Sequence, residues 1–153
     1  MDQRAIHVSV REGYDVIIGS GLLSESGRLI RAALGNCRLA VVMDSNVAKL
    51  YLAELLTSLR EAGYDACSIV FPAGEAHKRM DTMAGMLEFF AEQQLTRKDC
   101  VVALGGGVTG DMAGFAAGCY LRGVKYVQIP TTLLASVDSS VGGKTAVDLA
   151  PGK

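Results

Sequence analysis

Four short, mostly apolar runs alternate with longer stretches of helical periodicity, and this alternation constrains the fold more than any other feature. The runs lie at 39–43, 67–71, 100–104 and 125–129. The predicted helices cover 22–33, 45–63 and 79–94, with a fourth after the glycines at 105–107. Strands that are apolar on both faces are typical of buried parallel sheets. The sequence therefore predicts an α/β, Rossmann-like fold, a mostly parallel sheet with helices on both faces.

The N-terminal residues predict a different element. Apolar and polar residues alternate over 6–10, and a second β-type run at 14–18 follows a turn at Glu12 and Gly13. This pattern predicts an antiparallel β-hairpin. The 153 residues contain no internal repeat or linker, so we expect a single domain over 1–153.

Charge and cysteine content argue against several classes of protein. Fifteen Lys and Arg side chains against sixteen Asp and Glu give a net charge of −1 without a long run of either sign. This balance argues against a nucleic-acid partner or a polybasic membrane contact. The apolar runs are shorter than the roughly 18–20 residues that span a bilayer, and the start lacks a signal-peptide pattern. The four cysteines form no metal-binding motif, so we expect a cytoplasmic protein with buried, reduced thiols.

A glycine-rich segment follows the third apolar run. Of the 18 glycines, seven lie between 105 and 123, and three of them match Gly-x-Gly-x-x-Gly at 105, 107 and 110. Such glycines let a backbone approach a pyrophosphate, and the following helix N-terminus stabilises its charge. The common dinucleotide fingerprint instead belongs to the first strand–helix turn, with an acid about 20 residues later. Asp44, at the end of an earlier strand, is therefore the candidate for a ribose hydroxyl, and a helix N-cap is the alternative.

Glycines recur every four residues along the helix that follows this segment, at 106, 110, 114 and 118. They share one face, and glycine in a helix interior is unfavourable by up to about 1 kcal/mol relative to alanine. We therefore predict that another backbone packs closely there, above all against Gly114 and Gly118. Gly105 to Gly107 precede the helix and are interpreted as a loop.

Two polar loops carry further candidates. Gly143-Lys144-Thr145 is no P-loop, because Asp138 stands where that motif requires glycine. The 138–145 stretch still combines an acid, hydroxyls and a cation, with local capping and a solvated lysine as the alternatives. Glu75 and Lys78 lie in the loop after the second apolar run and are candidate functional residues. The alternative is that both are solvated surface charges. His77 has no sequence partner that would make it a catalyst or metal ligand.

Taken together, these segments resemble the 3-dehydroquinate synthase family, sugar-phosphate cyclases of the shikimate pathway. The matching stretches are 44–46, 74–78, 103–111, 120–123 and, most specific, the 128–147 stretch from Gln-Ile-Pro-Thr-Thr to Gly-Gly-Lys-Thr-Ala-Val. The resemblance implies an N-terminal NAD-binding domain followed by a mainly helical domain with the ligands of a divalent metal, zinc or cobalt. We therefore expect 1–153 to be an inactive fragment of a longer, homodimeric enzyme, with no metal ligand of its own.

The resemblance also implies roles for individual residues. Asp44 and Asn46 are expected near the adenosine ribose. The other implied cofactor-binding residues are Ala73, Gly74, Glu75, Ala76, His77, Lys78, Gly106, Gly107, Val108, Thr109, Gly110, Asp111, Thr131, Thr132, Ser139, Lys144 and Lys153. The implied catalytic residues are Asp138, Lys144, Lys153 and Arg122, of which Arg122 reaches the substrate phosphate and in the family can come from the neighbouring subunit.

Members of this family convert 3-deoxy-arabino-heptulosonate 7-phosphate into 3-dehydroquinate and phosphate, using bound NAD⁺. This sequence departs from the family at Ala73, where serine is frequent, at Asp148, where asparagine is commoner, and at 149–151. Two alternatives stay open, a cyclase for another sugar phosphate and a stand-alone nucleotide-binding module.

Overall fold

A computed structural model describes residues 3–10 and 13–151. The strands are β1 (Arg4–Val8), β2 (Tyr14–Ile18), β3 (Leu39–Asp44), β4 (Ala66–Phe71), β5 (Cys100–Gly105) and β6 (Lys125–Pro130). The helices are α1 (Leu22–Leu34), α2 (Ser45–Glu61), α3 (Met80–Glu92) and α4 (Gly107–Cys119). Glu75–His77 and Tyr120–Arg122 form 3₁₀ turns, and Ala135–Ser139 forms a π-helical turn. The predicted bounds agree with these elements to within two residues.

The main sheet is parallel, with the strand order β4-β3-β5-β6. The predicted α/β class is confirmed. β1 and β2 form a separate antiparallel hairpin, as predicted, although β1 begins and ends two residues earlier than expected. The N–H of Gly13 donates to the carbonyl of Val10 at 2.7 Å, so 9–10 belong to the connection rather than to the strand. Glu12 of the predicted turn lies outside the described residues.

Helices cover both faces of the sheet, which explains why its central strands are apolar throughout. On one face, Leu39, Val41 and Met43 of β3 pack with residues of α1 and α2. On the other, Ala40 and Val42 pack with residues of α3 and α4. The sheet is therefore the middle of three layers, and its strand ends are the places left for polar groups.

The predicted close approach of another backbone is wrong at both Gly114 and Gly118 of α4, although side chains do pack closely against Gly114. A Cβ on Gly114 would lie 2.5 Å from Cγ2 of Thr145 and 3.0 Å from Cε1 of Tyr126, so side chains rather than a backbone pack there. A Cβ on Gly118 would meet no described atom within 4 Å. The close backbone approach occurs instead between α1 and α2. There a Cβ on Gly27 would clash with the carbonyl oxygen of Ser58 and lie 2.7 Å from its carbonyl carbon.

Gly27→Ala is expected to lower the free energy of unfolding by about 1–3 kcal/mol, because a backbone cannot yield as a flexible side chain does. Gly85→Ala is the matched control, since a Cβ there meets no described atom within 4 Å in the middle of α3. It should stabilise the chain by up to about 1 kcal/mol. Urea unfolding of both variants checks this pair. Equal stability of the two variants would mean that the α1–α2 contact has room for a methyl group at Gly27.

The cysteines are free thiols with differing exposure. Cys100 is buried, and burial raises the pKa of its thiol to about 12. Cys37 and Cys67 are half-buried and Cys119 is exposed, so the expectation of buried thiols is confirmed at Cys100 and wrong at Cys119. Among the described residues, no helix combines the length and the apolar character needed to cross a membrane.

Candidate functional site

The order of the strands creates a crevice between the ends of β3 and β5. From β3 the chain crosses through α2 to β4 on one side, and from β5 it crosses through α4 to β6 on the other. The direction of winding therefore reverses between these two strands. In open α/β sheets, ligands bind outside the carboxyl ends of the strands at such a switch point. Asp44 ends β3 there, and Gly105 ends β5.

A helix N-terminus opens directly onto this crevice. Gly106 alone separates β5 from α4, so the predicted loop is a single residue, and Gly107 already belongs to the helix. Along α4, the first backbone N–H with a hydrogen-bond acceptor is that of Gly110, which donates to the carbonyl of Gly106 at 3.0 Å. The amides of the first helical turn, Gly107 to Thr109, have no acceptor outside the helix among the described residues. Unpaired amides and the helix dipole together favour an anion at this point.

The three glycines at this turn allow neighbouring side chains to approach the backbone closely. They are not needed for unusual backbone angles. None of them has a positive φ. A Cβ on Gly105 would lie 2.6 Å from Cβ of Thr109, and one on Gly106 would lie 3.2 Å from Cγ2 of Thr132. A Cβ on Gly107 would lie 3.3 Å from Oγ of Ser139. The glycines thus let the 132–139 segment lie against the start of α4.

Two buried hydroxyls beside this turn have no partner within the described part of the chain. They are Oγ1 of Thr109, a residue with no exposed surface, and Oγ of Ser139. A buried polar group without a partner is unfavourable by about 1–3 kcal/mol. Such groups are expected where a ligand or an ordered water completes the hydrogen bonding.

Asp44 takes the helix-cap role that the sequence left open as an alternative. Its Oδ1 accepts the N–H groups of Asn46 and Val47 at 2.8 and 3.0 Å and so caps α2. Asn46 is exposed beside it. Ser45, which sequence reasoning did not propose as a site residue, accepts the N–H of Ala73 at 3.1 Å. This bond joins the end of β3 to the loop after β4, and Oδ2 of Asp44 accepts no bond from any described residue.

Lys78 and Asp111 form an ion pair beside the crevice. Nζ of Lys78 lies 2.6 Å from Oδ2 of Asp111, and their side chains are 8% and 17% exposed. The alternative that Lys78 is a solvated surface charge is therefore wrong. Burial by itself lowers the pKa of Lys78, but the hydrogen bond to Asp111 and the charges of Asp111, Glu75 and Asp148 outweigh it, so the pKa is raised.

The loop that carries Lys78 is shaped by its neighbours. Gly74 has a φ of +117°, in the region that favours glycine, and begins the 3₁₀ turn of Glu75, Ala76 and His77. The N–H of Asp148 donates to the carbonyl of Lys78 at 2.7 Å. Segments 74–78 and 148, far apart in sequence, therefore meet at the buried ion pair.

Asp138 and Lys144 lie on the segment that follows β6. Nζ of Lys144 contacts Oδ1 of Asp138, and both side chains are well exposed. The N–H of Thr131 donates to the carbonyl of Gly105 at 3.0 Å, and Oγ1 of Thr132 accepts the N–H of Ala135 at 3.1 Å. These bonds fix the start of the segment that carries Asp138 at the end of β5.

One of the predicted catalytic residues, Arg122, is not brought to this place. Arg122 is exposed and lies beyond the C-terminal end of α4. That end is about 20 Å from the helix N-terminus, at 1.5 Å per residue. Within one chain, Arg122 therefore lies apart from the crevice. Lys153 lies outside the described residues.

Comparison with known proteins places the chain in a family. The family model described as 3-dehydroquinate synthase N-terminal matches residues 68–153. The chain belongs to the 3-dehydroquinate synthase family. The 3-dehydroquinate synthase of Rhizobium leguminosarum bv. trifolii is 48% identical over 151 residues, which are 98% of this chain and 40% of that protein. That of Paracoccus denitrificans is 50% identical over 149 residues, 97% of this chain and 41% of that protein.

Solved structures of sugar-phosphate cyclases share the fold. 2-Deoxy-scyllo-inosose synthase complexed with carbaglucose-6-phosphate, NAD⁺ and Co²⁺ has a TM-score of 0.87 at 28% identity, over 99% of this chain and 41% of that one. 2-Epi-5-epi-valiolone synthase from Streptomyces hygroscopicus subsp. jinggangensis, with NAD⁺ and Zn²⁺ bound, has a TM-score of 0.81 at 32% identity, over 94% and 39%. The chain thus spans about 40% of the length of the relatives it matches.

Proposed function

We propose that this chain binds NAD⁺ in the crevice between β3 and β5, and that it is the nucleotide-binding part of a 3-dehydroquinate synthase. The observation that carries the proposal is the open N-terminus of α4 at the switch point, with Asp44 ending the neighbouring strand. Solved cyclases of the same fold that contain bound NAD⁺ support the choice of ligand.

The residues around the crevice suit such a ligand. The unpaired amides of Gly107 and Val108 offer donors to a pyrophosphate, and the absence of side chains on Gly106 and Gly107 leaves room for it. The free carboxylate oxygen of Asp44 suits a ribose diol. The orphaned hydroxyls of Thr109 and Ser139 are further donors or acceptors for a buried ligand or water.

We further propose the family reaction for the whole protein, the conversion of 3-deoxy-arabino-heptulosonate 7-phosphate into 3-dehydroquinate and phosphate. Bound NAD⁺ supplies a hydride acceptor, which makes the C–H beside the oxidised carbon acidic. Lys144 provides a cation for a substrate that bears phosphate and carboxylate groups, and Asp138 holds that cation in place. Lys78 and Asp111 fix the loop after β4 against the start of α4.

The proposal includes components that this chain does not supply alone. No cluster of three or more metal-ligating side chains occurs in residues 3–10 and 13–151. A zinc or cobalt ion, as in the solved cyclases above, is proposed to bind to parts of the enzyme that the relatives have beyond the matched region. Arg122 can serve the crevice only from a neighbouring subunit, so a homodimer is part of the proposal, as is a cytoplasmic location.

A cyclase for another sugar phosphate is the second candidate, because the solved structures above make other ring products. Identities of 46–50% to 3-dehydroquinate synthases, against 28–32% to those cyclases, favour the first. Release of phosphate from the heptulosonate substrate by the protein that contains this chain tests the choice. Asp138→Ala and Lys144→Ala are each expected to abolish that release. Release only from a different sugar phosphate would favour the second candidate.

Variants of Asp44 separate its two roles. Asparagine caps a helix as well as aspartate does, so Asp44→Asn should leave the stability nearly unchanged. Asp44→Ala should lower it by about 1 kcal/mol through loss of the cap. Both changes remove the carboxylate, so calorimetry should show NAD⁺ binding about five- to tenfold weaker for each. Unchanged affinity in Asp44→Asn would restrict this residue to capping.

A further inference from the structure

The β1–β2 hairpin touches the polar loops of the crevice through one hydroxyl. Tyr14 begins β2, and its Oη accepts the N–H of Gly142 at 2.9 Å across 128 residues of sequence. Among the described residues, it is the one hydrogen bond between the hairpin and the 138–145 stretch. Much of the rest of the hairpin faces solvent, with Ile6, Ile17 and Ile18 exposed on it.

Gly142 belongs to the turn that brings Lys144 back to Asp138. Its φ is +90°, a conformation that side chains rarely adopt. Before it, the N–H of Ser140 donates to the carbonyl of Ala135 at 2.9 Å, and that of Val141 to the carbonyl of Asp138 at 3.1 Å. Both bonds are local to the segment and do not set its direction.

Hydrogen bonds from outside the segment are few, although Ser139 lies against Gly107 and Thr145 packs against Gly114 of α4. Nε2 of Gln128 donates to the carbonyl of Ser140 at a long 3.4 Å. After Lys144, the next such hydrogen bond among the described residues is that of the Asp148 N–H to Lys78. The Tyr14 hydroxyl therefore supplies a hydrogen bond that anchors the backbone of the segment two residues before Lys144.

We propose that Tyr14 is a positioning residue, whose hydroxyl holds the Gly142 turn so that Lys144 is presented to Asp138 and to the ligand in the crevice. The part of this inference that concerns the ligand rests on the proposed binding of NAD⁺. The part that concerns the turn does not. A purely structural hairpin residue would act through its ring, which phenylalanine retains, whereas the proposed role requires the hydroxyl.

The hydroxyl is tested by Tyr14→Phe, with Tyr64→Phe as the matched control. Oη of Tyr64 donates to the carbonyl of Gly35 at 2.7 Å, so the control also loses one hydroxyl hydrogen bond, at the packing of α1. Amide hydrogen exchange by NMR should become about five- to tenfold faster at Gly142 in Tyr14→Phe, and stay unchanged there in Tyr64→Phe. Unchanged exchange at Gly142 in Tyr14→Phe would overturn the proposal.

A double-mutant cycle tests whether Tyr14 acts through Lys144. Tyr14→Phe should weaken NAD⁺ binding about threefold or more in the natural background, and should have no further effect in the Lys144→Ala background. Equal weakening in both backgrounds would overturn the positioning role. If the unchanged chain binds no NAD⁺, the proposed function fails, and the exchange at Gly142 decides alone whether Tyr14 holds the turn.

Discussion

Replacing Lys78 with methionine is expected to lower the free energy of unfolding by about 3–5 kcal/mol, because the change leaves the carboxylate of Asp111 buried without its partner. The Lys78 side chain is 8% exposed and Oδ2 of Asp111 lies 2.6 Å from its Nζ, so water replaces the lost cation poorly. Urea unfolding measures the effect. The double variant Lys78→Met with Asp111→Leu should recover most of the loss, since it removes both charges. A double variant as unstable as Lys78→Met would contradict the account of the pair.

The same pair gives an expected dependence on pH. The pKa of Lys78 in the folded chain is raised above its ordinary value of 10.5. A group whose pKa is raised by folding contributes its full stabilisation at any pH below its unfolded-state pKa. This contribution is lost as the pH rises through the folded-state pKa. The stability difference between the natural chain and Lys78→Met should therefore stay constant from neutral pH to about 10 and shrink above it. A difference that already falls near pH 8 would contradict this.

Gly107→Ala is expected to weaken NAD⁺ binding at least about 100-fold, because a methyl group at the start of α4 keeps the pyrophosphate away from two amides. The backbone at Gly107 has no positive φ, and Oγ of Ser139, 3.3 Å from the added Cβ, needs to move little. The stability should therefore change little. Calorimetric titration with NAD⁺ measures the loss.

Gly118→Ala is the control for this variant, since it adds the same methyl group at the far end of α4, where no described atom lies within 4 Å. Its affinity for NAD⁺ should match that of the natural chain. Equal affinities for all three chains would show that the ligand does not approach the N-terminus of α4.

The fold was largely predictable, because it depends on local patterns. Apolar runs and helical periodicity predicted the bounds of the six strands and of α1 to α3 to within two residues, and the presence of α4 without its end. The switch point was not predicted, because it depends on β5 pairing with β3 rather than with β4, and no local pattern encodes that choice. The close approach at Gly27 was missed for a similar reason, since it depends on how α1 crosses α2.

The sequence allowed candidate site residues to be named, but not the contacts between them. The glycines at 106 and 107 and the polar loops were identified from their residue types and the family resemblance. The pairing of Lys78 with Asp111 joins residues 33 apart and requires the strand order. Tyr14 carries no signal in the sequence beyond its position in a hairpin, because its partner is a backbone amide.

Titration of the 153-residue chain with NAD⁺ by calorimetry, after circular dichroism has verified the fold, tests the central claim most directly. We predict saturable binding of one NAD⁺ per chain, lost in Gly107→Ala and kept in Gly118→Ala. A folded chain that binds no NAD⁺ would contradict a nucleotide site formed by β3, β5 and α4.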